Sequence, residues 1–530
     1  MLRLWTNFAK TGNPNLPETG DVLWEPLTTK ESSFLDIGAM EMSLPANYQR
    51  RTNFWHSVFT RPPSVDTAQG SVIGSYLSSV SGRTFRAFQG VPYAAPPVDD
   101  LRFAAPSPPV PRTTIYEATH LRPACPQLEG PYPIPEGQSE DCLHLNIYTP
   151  EEAPSPLPVM VYIHGGALVR GSGGTYFHGP EILLDREIVL VTVNYRLGPL
   201  GMLSLESDYM EGNQGLRDQA AALVWVRDNI LAFGGDPGRV TLAGESAGGF
   251  STVTHLVSPA SGNLFQAAIA MSGSPVRLTG ADSVLAPGLA RRITQDLAAS
   301  LDCPAMCGDT AVLGCLRAMP LHNILEASSI FTNSSSGAVQ VRKPFSWVVD
   351  AAFSEDSVLP VAPEEALAAG DFHKVPLLTG VTRDEGLYQA AKYILNPDLL
   401  TSLNDNWDIL GPKIIFDKKT NVTEEEHDIV ARIRQFYFGD SSIDSSQLQS
   451  LVNMFSDLTF WSAAHRTVEL VTTHPGHPPV YLYIFSHPGA WGYGQVFPLF
   501  HFFILFQEGP FSFSSYPGPR SAPWLGCVPR

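Results

Sequence analysis

Residues Val240-Thr-Leu-Ala243 form a short apolar run that stops at Gly244-Glu-Ser-Ala-Gly248 and passes directly into a helix-like stretch. No other feature restricts the fold as much. A strand that becomes a helix within five residues, with glycine on both sides of a serine, fits a bend so sharp that only small flanking residues are accommodated. Such a bend lifts the Ser246 hydroxyl above a sheet and beside a helix N-terminus, where it is free to act as a nucleophile. The same letters in an ordinary Gly-rich turn would carry no chemistry. The strand before and the helix after separate the two cases.

The surroundings supply the sheet that this bend requires. Val159–Ile163 and Ile188–Val193 are apolar, β-branched runs, stopping at His164-Gly-Gly166 and Asn194-Tyr-Arg196. Ala267–Met271, Val375–Gly380 and Val480–Phe485 read as later strands, and Asp218–Ile230 has helical periodicity, broken by Gly234-Gly-Asp-Pro237. Continuous apolar strands alternating with helices imply a mostly parallel sheet buried on both faces and flanked by helices, an α/β architecture. Residues 400–470 are helical in pattern and more polar, and read as a cap over the sheet. Residues 61–70 read as a linker or the lead-in to a strand.

The pattern also predicts the partners that a serine nucleophile needs. Acyl transfer develops negative charge on the carbonyl oxygen, which preformed backbone N–H donors must meet. Gly165, Gly166 and Ala247 are the candidate donors, since glycine lets consecutive amides converge. A base must take the serine proton, and an acid must hold the base's tautomer, in chain order Ser, acid, His. The acid is Glu385 or its neighbour Asp384, just past an apolar strand. Downstream histidines are His427, His465, His474, His477, His487 and His501. Position favours His501, although Leu499-Phe-His-Phe-Phe503 is also the setting of a core histidine.

Composition narrows the function. The 530 residues are 44% hydrophobic and 16% charged, enough to bury a sizeable core, and the formal charge of -18 argues against nucleic acid or anionic membrane as a partner. No run approaches the 18 apolar residues of a membrane span; Val496–Phe506 is too short. The six cysteines include no CxxC pair, so a zinc or redox site is not expected, and no metal or other cofactor is assigned. Cys125 with Cys142 and Cys303 with Cys315 are candidate short-range disulfides, and Asn333 and Asn421 head glycosylation sequons. Both features predict a secreted protein or a secretory-pathway lumen. The opening Met-Leu-Arg-Leu-Trp-Thr-Asn-Phe does not read as a signal peptide.

Several segments together resemble the type-B carboxylesterase and cholinesterase family: Phe88–Tyr93, Ser139–Ile147, His164–Gly166, Asn194–Arg196, Asn213–Gln219, Phe233–Pro237, Gly244–Gly248, Met271–Gly273 and Thr379–Gly386. The resemblance implies an α/β-hydrolase fold and hydrolysis of small carboxylic esters through an acyl-enzyme. It implies Ser246 as nucleophile and Glu385 rather than Asp384 as the acid. It implies disulfides Cys125–Cys142 and Cys303–Cys315, with Cys307 an alternative to Cys303. The family's base lies in a His-Gly-Asp-Glu-like stretch; His501 falls at about that distance, with Phe502-Phe503 following instead. Residues 1–60 resemble the family's C-terminal tail, 61–486 its catalytic domain, and 487–530 are atypical. That order predicts two esterase reading frames joined in one chain, or a circular permutation in which residues 1–60 dock where the tail belongs. The alternative to an enzyme is a catalytically silent, esterase-like binding or adhesion protein, or an inactive product of the fused reading frames.

Overall fold

The computed structural model describes residues 61–128, 133–153, 155–276, 284–332, 344–416 and 421–487, plus the backbone of two short paired strands, Phe34–Asp36 and Glu41–Ser43. His501, Cys527 and the rest of the two terminal segments lie outside the described residues, as does Asn333.

Nine strands make one sheet: β1 (Ser75–Ser78), β2 (Thr84–Pro92), β3 (His144–Pro150), β4 (Leu157–Ile163), β5 (Val189–Val193), β6 (Gly235–Glu245), β7 (Ala267–Met271), β8 (Leu377–Thr382) and β9 (Val480–Phe485). Their order across the sheet is β9-β8-β7-β6-β4-β5-β3-β2-β1. From β9 to β5 every pairing is parallel, and from β5 to β1 every pairing is antiparallel. The apolar runs in the sequence thus become the parallel half. The antiparallel flank, β1 to β3, has no equally plain signal. Gly234 turns the chain with φ +89, and Gly235 already belongs to β6, with a register shift before Val240. Residues 61–70 hold a strand of their own, Ser64–Thr67, hairpinned to Gly70–Ile73.

The core runs along both faces of the central strands. All five residues of β5 and all seven of β3 are buried, as expected for strands covered on both sides. Helix α1 (Gln214–Asn229) packs on one face and helix α2 (Ala247–Val257) follows Ser246. Six further helices, α3 to α8, span Leu387–Leu395, Pro397–Asp405, Trp407–Phe416, Glu424–Phe438, Leu448–Ser456 and Ser462–Thr472. The first five, α3 to α7, enclose a second apolar core including Tyr393, Trp407, Phe438 and Phe455, so the helical cap has packing of its own, while Leu470 and Val471 of α8 join the main core. No helix among the described residues is long and apolar enough to cross a membrane.

One buried ion pair ties together the segments Asn194–Arg196 and Asn213–Gln219. Arg196, just past β5, is 2% exposed and Asp218, on α1, is 0% exposed. The Asp218 carboxylate accepts from Nε (2.8 Å), Nη2 (2.7 Å) and the backbone N–H (3.0 Å) of Arg196, while Nη1 donates to the Ala104 carbonyl. Both lone-pair faces are used, which is what lets a charge pair survive out of water. Removing one partner strands the other charge in the core. Asp218→Ala is therefore expected to cost about 3–5 kcal/mol, read as a lowered urea midpoint. A midpoint within error of the parent would show that water reaches Arg196.

Candidate active site

Backbone register builds the site before any side chain is considered. Gly244 pairs with Ile163, Glu245 with Met271, Met271 with Gly380, and Gly380 with Tyr483. The C-terminal ends of β4, β6, β7, β8 and β9 therefore lie in one row, the edge at which open parallel sheets carry their sites. The ladder continues past the strands: the Ser246 N–H donates to the Met271 carbonyl (2.8 Å), and the Ser272 N–H to the Gly380 carbonyl (2.8 Å).

At the tip of β6, Ser246 has φ 56 and ψ -118. A non-glycine residue held there stores about 1–3 kcal/mol of strain. Tight packing fixes the bend. A methyl group on Gly244 would run into the backbone of Gly248, and one on Gly248 into the Ile163 carbonyl. The α2 helix starts at Ala247, whose N–H has no preceding turn to accept it.

The loop after β4 comes up against this bend. A Cβ built on Gly165 would stand 3.1 Å from the Ser246 Cβ and 2.8 Å from Glu245 Oε2. Gly165 is thus required for close approach, and Gly166, with φ +110, for conformation. Ala167 and Leu168 continue with φ 57 and 64, which no residue-type signal announced. The Gly166 carbonyl accepts from the N–H groups of Val169 (3.1 Å) and Arg170 (3.0 Å). Among the described residues no backbone carbonyl accepts the N–H of Gly165 or Gly166. Beneath them His164 is buried, stacks on Tyr195 at 4.4 Å, and its carbonyl accepts from the Tyr195 hydroxyl (2.9 Å). Burial pushes the His164 imidazole down to about 3, so it is neutral and structural.

The two candidate acids have different surroundings. Asp384 is held by Arg383 (2.6 Å) and accepts from Gln449 Nε2 (3.1 Å), and the Arg383 hydrogen bond keeps its carboxyl below the usual range. Glu385 instead accepts from the Thr382 N–H (2.7 Å) and from the Ser272 hydroxyl, so it sits in the row with Ser246. Ser272 escaped the sequence reading, although Met271-Ser-Gly273 directly after a strand marks the position. Glu245 escaped it too, although it lies inside the Gly-x-Ser-x-Gly bend. Glu245 is open to solvent along one side, yet protein crowds its carboxyl. Burial first, and the charge of Glu385 second, push it up to about 7.

None of the described histidines is hydrogen-bonded to Ser246 or Glu385. His427 is exposed on α6, His465 faces Glu469 (3.5 Å), His474 contacts the Leu367 carbonyl (2.8 Å), and His477 contacts that of Pro478 (2.8 Å). His487 lies edge-on to Phe485. The candidate base His501 is outside the described residues. Among the described residues two disulfides join pairs of cysteines, Cys125–Cys142 and Cys303–Cys315. Asn421 is exposed just ahead of α6, with the sequon's Thr423 capping the helix. Among the described residues no group of acidic, histidine or cysteine side chains could hold a metal.

The family model for the carboxylesterase family matches residues 61–516. The chain belongs to the carboxylesterase family. It is 37% identical to a juvenile hormone esterase of Tribolium castaneum over 82% of this chain and 74% of that protein. It is 34% identical to a para-nitrobenzyl esterase of Bacillus subtilis over 82% of this chain and 80% of that protein. Among solved structures it resembles the juvenile hormone esterase of Manduca sexta with OTFP covalently attached. That likeness has a TM-score of 0.69 and 30% identity, covering 81% of this chain and 79% of the other. This carboxylesterase thus has the α/β-hydrolase fold, and hydrolysis of small carboxylic esters is its chemistry.

Glu245 yields a pH prediction. A carboxyl whose pKa is raised on folding binds its proton more tightly folded than unfolded, so its contribution to stability falls as pH rises. The loss begins at the ordinary carboxylate value and is complete above about 7. Glu245→Gln, which cannot ionise, is expected to raise the melting midpoint at pH 8 and to change it little at pH 5. An equal shift at both pH values in scanning calorimetry would place that carboxyl in an ordinary solvated environment.

Proposed function

We propose that this carboxylesterase works through an acyl-enzyme on Ser246. The serine oxygen attacks the ester carbonyl carbon while its proton passes to a histidine. The developing oxyanion is met by the amides of Gly165, Gly166 and Ala247. The histidine proton goes to the leaving alcohol as the C–O bond breaks, and water repeats the sequence to release the acid. Glu385 orients the histidine, for which His501 is the candidate. The observation that carries the reading is the strained Ser246 backbone standing against Gly165, with that glycine's N–H and its neighbour's accepted by no carbonyl among the described residues. The covalent OTFP of the Manduca sexta relative supports a nucleophile in this fold. The intact bend and its buried supports favour a working enzyme over a silent binding protein.

The substrate class is a carboxylic ester of modest size. No tryptophan lies between Cys125 and Cys142, so that loop brings no indole face to a quaternary ammonium group. Two disulfides and an exposed Asn421 sequon support a secreted or secretory-lumen protein with glycosylation at Asn421 and Asn333. The catalytic unit starts near residue 61, where the family match begins; that match runs on to 516, which supports counting part of 487–530 with it.

Mixing with an activated nitrophenyl ester is expected to give a burst of product, and a fluorophosphonate is expected to label the protein. Ser246→Ala should abolish both, lowering turnover by at least about a thousandfold. Retained labelling in that variant would place the nucleophile elsewhere. His501→Ala should cost a similar factor; unchanged turnover would move the base to another histidine.

A further inference from the structure

The loop that carries Gly165 and Gly166 leaves the sheet at Ile163, and side chains from outside it hold its far end. Its far end, Gly171, has φ +110 and lies so close that a Cβ there would be 2.5 Å from His164 Nδ1 and 2.6 Å from the Gly165 carbonyl oxygen. Any shift of Gly171 is thereby passed to the Gly165 peptide. Gly171 is gripped from outside by one side chain. Gln127 Oε1 accepts the Gly171 N–H (2.8 Å), and Gln127 Nε2 donates to the Gly171 carbonyl (2.9 Å) and to that of Cys125 (3.0 Å). Gln127 is 6% exposed, and its own N–H donates to Gln138 Oε1 (2.8 Å). The carboxamide so paired with one peptide unit imitates a strand neighbour, and it rides two residues from Cys125 of the Cys125–Cys142 disulfide.

We infer that Gln127 is a positioning residue for ester hydrolysis: its carboxamide, braced by the disulfide loop, clamps Gly171 and so fixes the direction of the Gly165 and Gly166 amides. This rests on the proposed role of those amides. A neighbouring clamp secures the next turn, where the Asn194 side chain accepts the Gly173 N–H (2.8 Å) and Asn146 and Thr192 donate to its carbonyl. That second grip keeps the chain folded when the first is removed, leaving a loop that is intact but loosely aimed. Misplacement of oxyanion donors by a fraction of an ångström weakens the transition state and leaves ground-state binding nearly alone.

The test uses the full chain, a nitrophenyl butyrate substrate, and an aliphatic trifluoromethyl ketone as a probe of the oxyanion site, with active sites counted by fluorophosphonate labelling. Gln127→Ala is expected to lower kcat per labelled site about ten- to a hundredfold, with KM within twofold. Affinity for the ketone should fall by the same factor as kcat/KM. Gln127→Glu keeps the acceptor for the Gly171 N–H but, when ionised, loses the donor to the two carbonyls. Its activity relative to the parent should therefore rise as pH is lowered toward 5. The inference is overturned if Gln127→Ala keeps parental kcat per labelled site, or if ketone affinity is unchanged while kcat/KM falls. It is overturned as well if the Gln127→Glu ratio is flat with pH. A parent chain that does not label removes the Ser246 reading and the clamp together, whereas a labelled parent with an unaffected Gln127→Ala removes the clamp alone.

Discussion

The whole arrangement depends on parallel pairing in one register. Because β4, β6, β7 and β8 end level with one another, the residues just past their ends become neighbours although they are up to 220 positions apart in the chain, from Gly165 to Glu385. The hydrogen bond from the Ser246 amide to Met271, and that from the Ser272 amide to Gly380, extend the ladder one step into the site. A one-residue slip would turn every strand side chain to the opposite face and separate these groups. The buried β-branched runs of β4 and β5 make such a slip expensive.

The molecule places strain and rigidity where they support each other. Ser246 occupies a backbone conformation that no isolated peptide would keep, so surrounding structure must over-determine it. Gly244 and Gly248 permit the close approach, Ile163 abuts it, and α2 follows without a break. On the opposite side, the glycine loop is fixed through His164 on Tyr195 and through side chains reaching Gly171 and Gly173. Placement of Glu385 follows the same logic: Ser272, one residue past β7, and Thr382 of β8 both donate to it, so its carboxyl is fixed from two neighbouring strand ends at once.

Much of this was legible in the residues, and the failures have physical causes. Continuous apolar runs announced β4 to β9 and a mostly parallel sheet, because no polar alternation obscures them, although β9 at the sheet edge is largely exposed. The bend at Ser246 was legible because glycine on both sides of a serine has few other uses. Ser272 and Gln127 were not, because a serine or a glutamine acquires its role only from a partner brought in by the fold. Two adjacent carboxylates look alike in the sequence; the fold separates them, with Arg383 drawing Asp384 away and Thr382 and Ser272 holding Glu385. The antiparallel flank was overlooked because β1 and β2 mix polar and apolar residues without a clean period. His501 had position in its favour and nothing in its immediate neighbours to confirm it.

The backbone angle at residue 246 also bears on what this chain is for. Glycine would adopt φ 56 without penalty, and the about 0.5–1 kcal/mol it loses in the unfolded chain is smaller than the about 1–3 kcal/mol of strain a side chain stores there. Mutational drift in a protein valued only for its shape would run downhill toward glycine at this spot. A hydroxyl on such a slope is a standing expense in folding free energy, of the kind that the chemistry proposed for Ser246 would offset.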